Sequence, residues 1–214
     1  MPILSSLSVL GAHFSSPSSG VYQPSMYAIL DGSSKLTGLM SSVIADGDFT
    51  FELWTSRASQ QSDTTLITIL SNTARLADSS SGLAYVNIPA SHVDYFSKFV
   101  PTDGAFHHVV MQRASGVVSA YVDGVLASGS ASDGYDYSSA GPLLTIGCLP
   151  EESGSYVGNI ASVRASSVAR YSGATITVPS APFTMDGSTL MLALNQSTLE
   201  SGVTNYGATL VGIS

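Results

Sequence analysis

Residues 105–126 read AFHHVVMQRASGVVSAYVDGVL. Two apolar runs, Phe106 to Arg113 and Val117 to Val122, flank Ala114-Ser115-Gly116. A short Gly-containing gap between runs rich in Val and Tyr predicts a β-hairpin with a three-residue loop. Asp123-Gly124 follows the second run and predicts another tight turn, because both residues tolerate positive φ. Two linked reversals make an antiparallel meander. Within it Val118, Ala120 and Val122 share one face and Val117, Ser119 and Tyr121 the other, by the period of two. One face is drier, as in a sheet packed on a second sheet. The predicted fold is all-β, a two-sheet antiparallel sandwich of the jelly-roll kind.

Working outward, Tyr27–Leu30 and Lys35–Leu39 are short predicted strands, and FTFELW alternates Phe49, Phe51 and Leu53 with Thr50, Glu52 and Trp54. TLITIL (65–70) is a continuous apolar run suited to a strand buried on both faces. Residues 71–82 read as a Ser-rich loop, 83–88 and 93–100 as strands, 128–141 as a Gly/Ser/Asp/Tyr loop and 143–148 as a buried run. YVGNIASVR alternates again, SSVARYS (166–172) predicts a single helical turn, STLMLAL is a strand, and VTNYGATLVGI reads as the last one. No helical periodicity persists, and many short strands between turn signals argue for a sandwich.

The chain has 214 residues, a length that all-β sandwiches often use for one domain. Its 44% hydrophobic content supports a real core, while charge is sparse at 10% and net −8. Ser, Thr and Gly fill the polar positions, which suits packing into a larger assembly because hydroxyls are cheaper to desolvate than charges. The seven basic residues are scattered, so nucleic acid and anionic membrane are not expected partners. No apolar run has the length of a membrane span, so membrane insertion is not expected. The lone Cys148 lies in an apolar run and reads as a small buried hydrophobe. The start, MPILSSLSVLGAHF, lacks the basic region of a secretory signal, which predicts a protein made in the cytoplasm and not exported that way. Residues 1–25 read as an arm, either a loose tail or a segment that orders on a neighbour, and 26–214 as the domain.

Several stretches carry a resemblance. Ala28-Ile29-Leu30-Asp31-Gly32-Ser33, Asp48-Phe49-Thr50-Phe51-Glu52-Leu53-Trp54, the hairpin from Phe106-His107-His108-Val109 to Tyr121-Val122-Asp123-Gly124, Leu144-Thr145-Ile146-Gly147 and Gly158-Asn159-Ile160-Ala161-Ser162-Val163-Arg164 follow in family order. Together they resemble laminin-G-like domains of the concanavalin A-like lectin/glucanase superfamily over roughly residues 27–195. The family usually has Trp at the position of Phe106, and often an acidic residue where Ala161 and Ser162 stand. Val168-Ala169-Arg170-Tyr171-Ser172-Gly173 with Pro179-Ser180-Ala181-Pro182-Phe183 is similar to a signature of such domains in tailed phages and prophages. The resemblance implies a structural virion protein: a surface-displayed capsid decoration or tail-appendage subunit, homo-oligomeric, partnered by other virion proteins and located in the virion. The alternative it implies is a carbohydrate-binding host-receptor adhesin or free lectin-like module that takes host surface glycans.

Glycosidases of that superfamily set closely spaced carboxylates on one strand, and here only Glu52 lies on a strong strand, so an enzyme is not expected. His107 and His108 are adjacent on a strand and point to opposite faces, so they cannot chelate together. No resident cofactor is expected, calcium being the candidate through Asp31 and Asp123, with turn formation as the competing role of both. The loop SASDGYDYSS (130–139) places Asp133, Tyr135, Asp136 and Tyr137 together. Exposed Tyr beside carboxylates can stack on a sugar and bond its hydroxyls; the competing role is Tyr packed back on the sandwich.

Overall fold

The computed structural model describes residues 22–61, 63–69, 74–87, 92–149, 155–200 and 202–212. The first 21 residues of the expected arm, and with them its attachment role, lie outside the described residues. The strands are β1 (Tyr27–Asp31), β2 (Lys35–Leu39), β3 (Phe49–Ser56), β4 (Thr64–Ile69), β5 (Ala74–Ser79), β6 (Gly82–Asn87), β7 (His92–Phe96) and β8 (His107–Ala114). They continue with β9 (Val117–Val122), β10 (Val125–Leu126), β11 (Ala131–Ser132), β12 (Leu143–Ile146), β13 (Val157–Ser166), β14 (Thr189–Ala193), β15 (Val203–Tyr206) and β16 (Thr209–Val211). No described residue is helical. The fold is the antiparallel two-sheet sandwich the sequence predicts.

One sheet runs β10-β9-β8-β3-β13-β1-β16, with β11 added beside β9 and β14 beside β13. The other runs β15-β2-β12-β4-β5-β6-β7. Between them Phe49, Phe51, Leu53, Val109 and Met111 of the first sheet meet Leu36, Ile67, Leu76, Leu144 and Ile146 of the second, all buried. Val118, Ala120 and Val122 join this layer as their alternation requires.

The central hairpin is tighter than expected. Ala114 pairs with Val117, so the loop is Ser115-Gly116 alone, with φ of 49° and 76°. Two consecutive positive φ values form the turn whose twist matches the flanking strands. Residues 71–82 are not a loop throughout, since β5 lies within them. Its polar letters hid it: Asp78 is fully buried against Arg57, and Arg75 faces away from the core beside inward Leu76. The last segment is two strands in different sheets, with the chain passing between them at Gly207, whose φ is 85°. Residues 167–172 form no helical turn.

Those residues begin a strap, 167–188, which covers the outer face of the nine-stranded sheet. Arg170 grips Asp186 through both terminal nitrogens at 2.9 Å, and its Nε donates to Ser166 Oγ. Tyr171 exchanges two bonds with the Gln112 side chain through its own backbone. Beneath the strap Trp54, Ala161, Phe183 and Leu192 form a second apolar cluster, with Tyr22 edge-on to Trp54. Covering both faces of a strand explains why all eight residues of β3 are buried. Cys148 is buried and unbridged, as read from the sequence.

Candidate functional site

The residues singled out in the loop 130–139 do not form an exposed patch. Asp133 and Tyr137 are 3% and 1% exposed and point between the sheets. Arg113, on the core side of β8, lies between the rings of Phe49 and Tyr137. Its Nη1 meets Asp133 Oδ2 at 3.2 Å, and the same carboxylate accepts from the hydroxyls of Tyr85 and Tyr137 and from Asn87 Nδ2. A guanidinium in an apolar layer requires a carboxylate, and the loop folds inward to supply it. Burial, foremost, pushes the Tyr85 and Tyr137 hydroxyls above their ordinary range. Asp133 and Tyr137 therefore have no face toward a sugar. Tyr135 is half-buried against the core, and Asp136 is exposed but held by the Ser138 amide at 2.9 Å.

Asp31 and Asp123, the calcium candidates, lie in separate turns where protein groups bond them. Asp31 Oδ1 accepts from the Ser33 amide, the Ser33 hydroxyl and the Ser34 amide, which hold its pKa at about 2. Asp123 Oδ1 accepts from the His108 amide and Oδ2 meets His107 Nδ1 at 2.7 Å. Among the described residues no group of three His, Cys, Asp or Glu side chains could hold a metal. Both sit in turns: Asp31 takes its three bonds on Oδ1 alone, and Asp123 has both oxygens bonded.

The two histidines part as predicted. His107 sits at the rim with Nε2 on Asp103 at 3.0 Å and Nδ1 on Asp123. Burial opposes its charge, but the two carboxylates outweigh it and raise its pKa. His108 lies under the strap, where Nε2 meets Glu52 Oε2 at 3.0 Å. Glu52 also accepts from Tyr171 at 2.7 Å and pairs with Arg164 at 2.7 Å. Burial works against that carboxylate, yet its three partners keep its pKa low. With every partner position filled and the strap above it, Glu52 has the surroundings of a structural anion.

The face not crossed by the strap, the outer face of the seven-stranded sheet, is different. Strand register places Thr204, Thr37, Thr145, Thr68, Arg75, Val86 and Val93 in one row across all seven strands. In the neighbouring row Tyr206 pairs with Lys35 at one edge, and Ala77, Ala84 and Tyr95 follow at the other. Leu36, Leu76, Tyr85 and Phe96 point inward, so by alternation these rows point outward. Tyr95 and Tyr206 are 53% and 51% exposed, with small buried Ala77 and Ala84 between them. Seven strands at about 4.8 Å spacing set the two rings about 29 Å apart. Lys35 lies over the Tyr206 ring at 5.6 Å. Of the row, Thr204 is exposed and Thr37 half-buried, whereas Thr145, Thr68 and Val86 are buried and Thr68 Oγ1 donates to the Cys148 carbonyl. The accessible chemistry is an aromatic ring at each edge, able to stack on rings, with the Thr204 and Thr37 hydroxyls and the half-buried Arg75 guanidinium as polar groups. The sequence reading missed this face because Arg75 was assigned to a loop. The threonines lie on four strands far apart in the chain, although a Thr at an outward position of each strand was visible.

No curated protein matches the chain by sequence. Among solved structures the chain is similar to a Bacteroides ovatus protein described as a "putative carbohydrate binding protein", at 16% identity and TM-score 0.64, covering 90% of this chain and 61% of that one. It is similar to domains LG4-5 of the mouse laminin α1 chain at 13% and 0.55, covering 76% and 47%. It is also similar to domain 4 of AbnA, an extracellular arabinanase from Geobacillus stearothermophilus in complex with arabinotriose, at 18% and 0.53, covering 70% and 72%. The chain thus spans less than two thirds of the first two. At these identities the likeness is one of fold. Residues 31–174, more than half of the chain, match the family described as the concanavalin A-like lectin/glucanases superfamily, and the chain belongs to that family.

Proposed function

We propose that this protein is a non-catalytic carbohydrate-binding module and that it holds its glycan on the outer face of the seven-stranded sheet. The observation that carries the reading is the pair of exposed rings, Tyr95 and Tyr206, at the two edges of that sheet, with the exposed Thr204 and half-buried Thr37 beside Tyr206. The names of two structural neighbours, a carbohydrate binding protein and an arabinanase domain with arabinotriose, support it. Of the two roles implied by the sequence, these comparisons favour the lectin-like one. The virion role, with its virion partners, oligomer and location, draws no support from them and rests on the likeness of residues 168–183 to phage signatures. The filled surroundings of Glu52 support a binding role over hydrolysis.

The test is a glycan array on the full chain, with and without calcium, followed by titration of the hits against Tyr95→Ala and Tyr206→Ala. Loss of stacking predicts weakening of roughly threefold to tenfold per ring. Silence of the whole array, or hits insensitive to both variants, would refute the proposed site.

A further inference from the structure

The chain has five arginines, and four have their charge answered within the protein. Arg57 faces Asp78, Arg113 faces Asp133, Arg164 faces Glu52, and Arg170 faces Asp186. Arg75 makes no hydrogen bond or ion pair among the described residues, although it is half-buried and its Nε is shut off from solvent without a partner. A guanidinium cannot shed its charge, so a shielded donor without an acceptor costs free energy. Arg57 Nε is shielded in the same way, but Asp78 answers that charge, and no described carboxylate answers Arg75. Its position is also specific. It stands at the centre strand-but-one of the outward row, next to Thr68 on β4 and Val86 on β6, with Tyr95 one row away on β7.

From this we infer that Arg75 receives the anionic substituent of the bound glycan, a carboxylate or a sulfate ester. This deepens the carbohydrate-binding reading above and rests on it. The planar fork of a guanidinium matches two oxygens of such a group at once, and partial burial strengthens the bond relative to open water. Its neighbours Thr68 and Val86 are buried and the Thr68 hydroxyl is bonded to the Cys148 carbonyl, and neither outward row holds a carboxylate, so nothing in those rows competes for the fork. The overall charge of −8 works against anions at long range. Selectivity must therefore come from this local contact and fade as salt screens it.

The experiment is calorimetric titration of the full chain with three sets of oligosaccharides: uronate-containing, sulfated, and the same chains after carboxyl reduction or desulfation. Wild type is expected to bind one anionic set about tenfold or more tightly than its neutral counterpart. Arg75→Gln should erase that preference, bringing the affinity for the anionic set down to that for the neutral one. Arg75→Lys, which keeps the charge and loses the fork, should retain only part of it. The carboxylate and sulfate arms separate the two sources of the anion. Equal affinity for anionic and neutral sets, or a preference that survives Arg75→Gln, overturns the assignment of Arg75 and leaves the glycan-binding reading standing. Failure of every set to bind overturns both. If Arg75→Gln melts below the assay temperature, Arg75→Lys decides, and an undiminished preference in it refutes the role of the fork.

Discussion

Replacing Asp133 by Ala tests the inward folding of the loop 130–139. The substitution removes the only carboxylate paired with Arg113 among the described residues, where the Arg113 side chain is 1% exposed, and strips an acceptor from Tyr85, Tyr137 and Asn87. Arg113 keeps bonds to the carbonyls of Ala45, Gly47 and Tyr135, but its Nη1 donor to Asp133 loses its acceptor and its charge is left unanswered. Breaking a buried pair from one side costs about 3–5 kcal/mol. That is a large share of the roughly 5–15 kcal/mol that holds a domain together. At this size each kcal/mol lowers Tm by about 2–4 °C, so a fall on the order of 10 °C is expected. Chemical denaturation read by intrinsic fluorescence, alongside a thermal melt, measures both quantities. Asp136→Ala is the internal control, since Asp136 is exposed and its change should stay within about 0.5 kcal/mol. Replacing Arg113 and Asp133 together by Met and Leu should recover most of the loss, because no charge is then left buried. A cost below about 1 kcal/mol for Asp133→Ala, or equal costs for the two aspartates, would refute the argument that this pair holds the loop inward.

The His107 imidazolium, bonded at both nitrogens to carboxylates, should titrate above the ordinary histidine value of 6.5, as followed by NMR of the ring protons. Its folded pKa is raised, so its stabilising contribution is complete below the unfolded pKa and disappears as pH climbs through the folded one. A His107 pKa at or below 6.5, or one that Asp123→Asn leaves unmoved, would contradict the assignment. Gly124→Ala should destabilise the strap: a Cβ there would lie 2.5 Å from the Ile176 carbonyl oxygen, at a φ of 76° that L-residues resist. Faster amide exchange at Ile176, whose N–H bonds the Gly124 carbonyl, is the expected readout, and unchanged protection would show that the strap does not depend on this contact.

The fold class was legible because short-range alternation is a property of single strands. Phe49, Phe51 and Leu53 on β3, and Val118, Ala120 and Val122 on β9, declare their buried face within six or eight residues, and both groups lie where that pattern puts them. The buried fate of Trp54 was equally readable, but its cover was not, since the strap that buries it returns more than a hundred residues later. The separation of His107 from His108 followed from the period of two alone.

What the linear chain could not express was which charges meet. Arg113 and Asp133 look like an exposed hairpin residue and a loop residue until the loop folds inward, and Arg57 and Asp78 are likewise brought together only by packing. The candidate face depends on the same step. Thr204, Thr37, Thr145 and Thr68 come from four strands whose neighbours in the sheet are not neighbours in sequence, so their alignment exists only in the register of that sheet. Alternation, a local steric consequence of the extended backbone, was determined by the sequence alone. Strand order and register, which pair four arginines with carboxylates and leave Arg75 facing outward with no carboxylate among the described residues, were decided by the tertiary structure, because pairing energies depend on contacts between residues far apart in the chain.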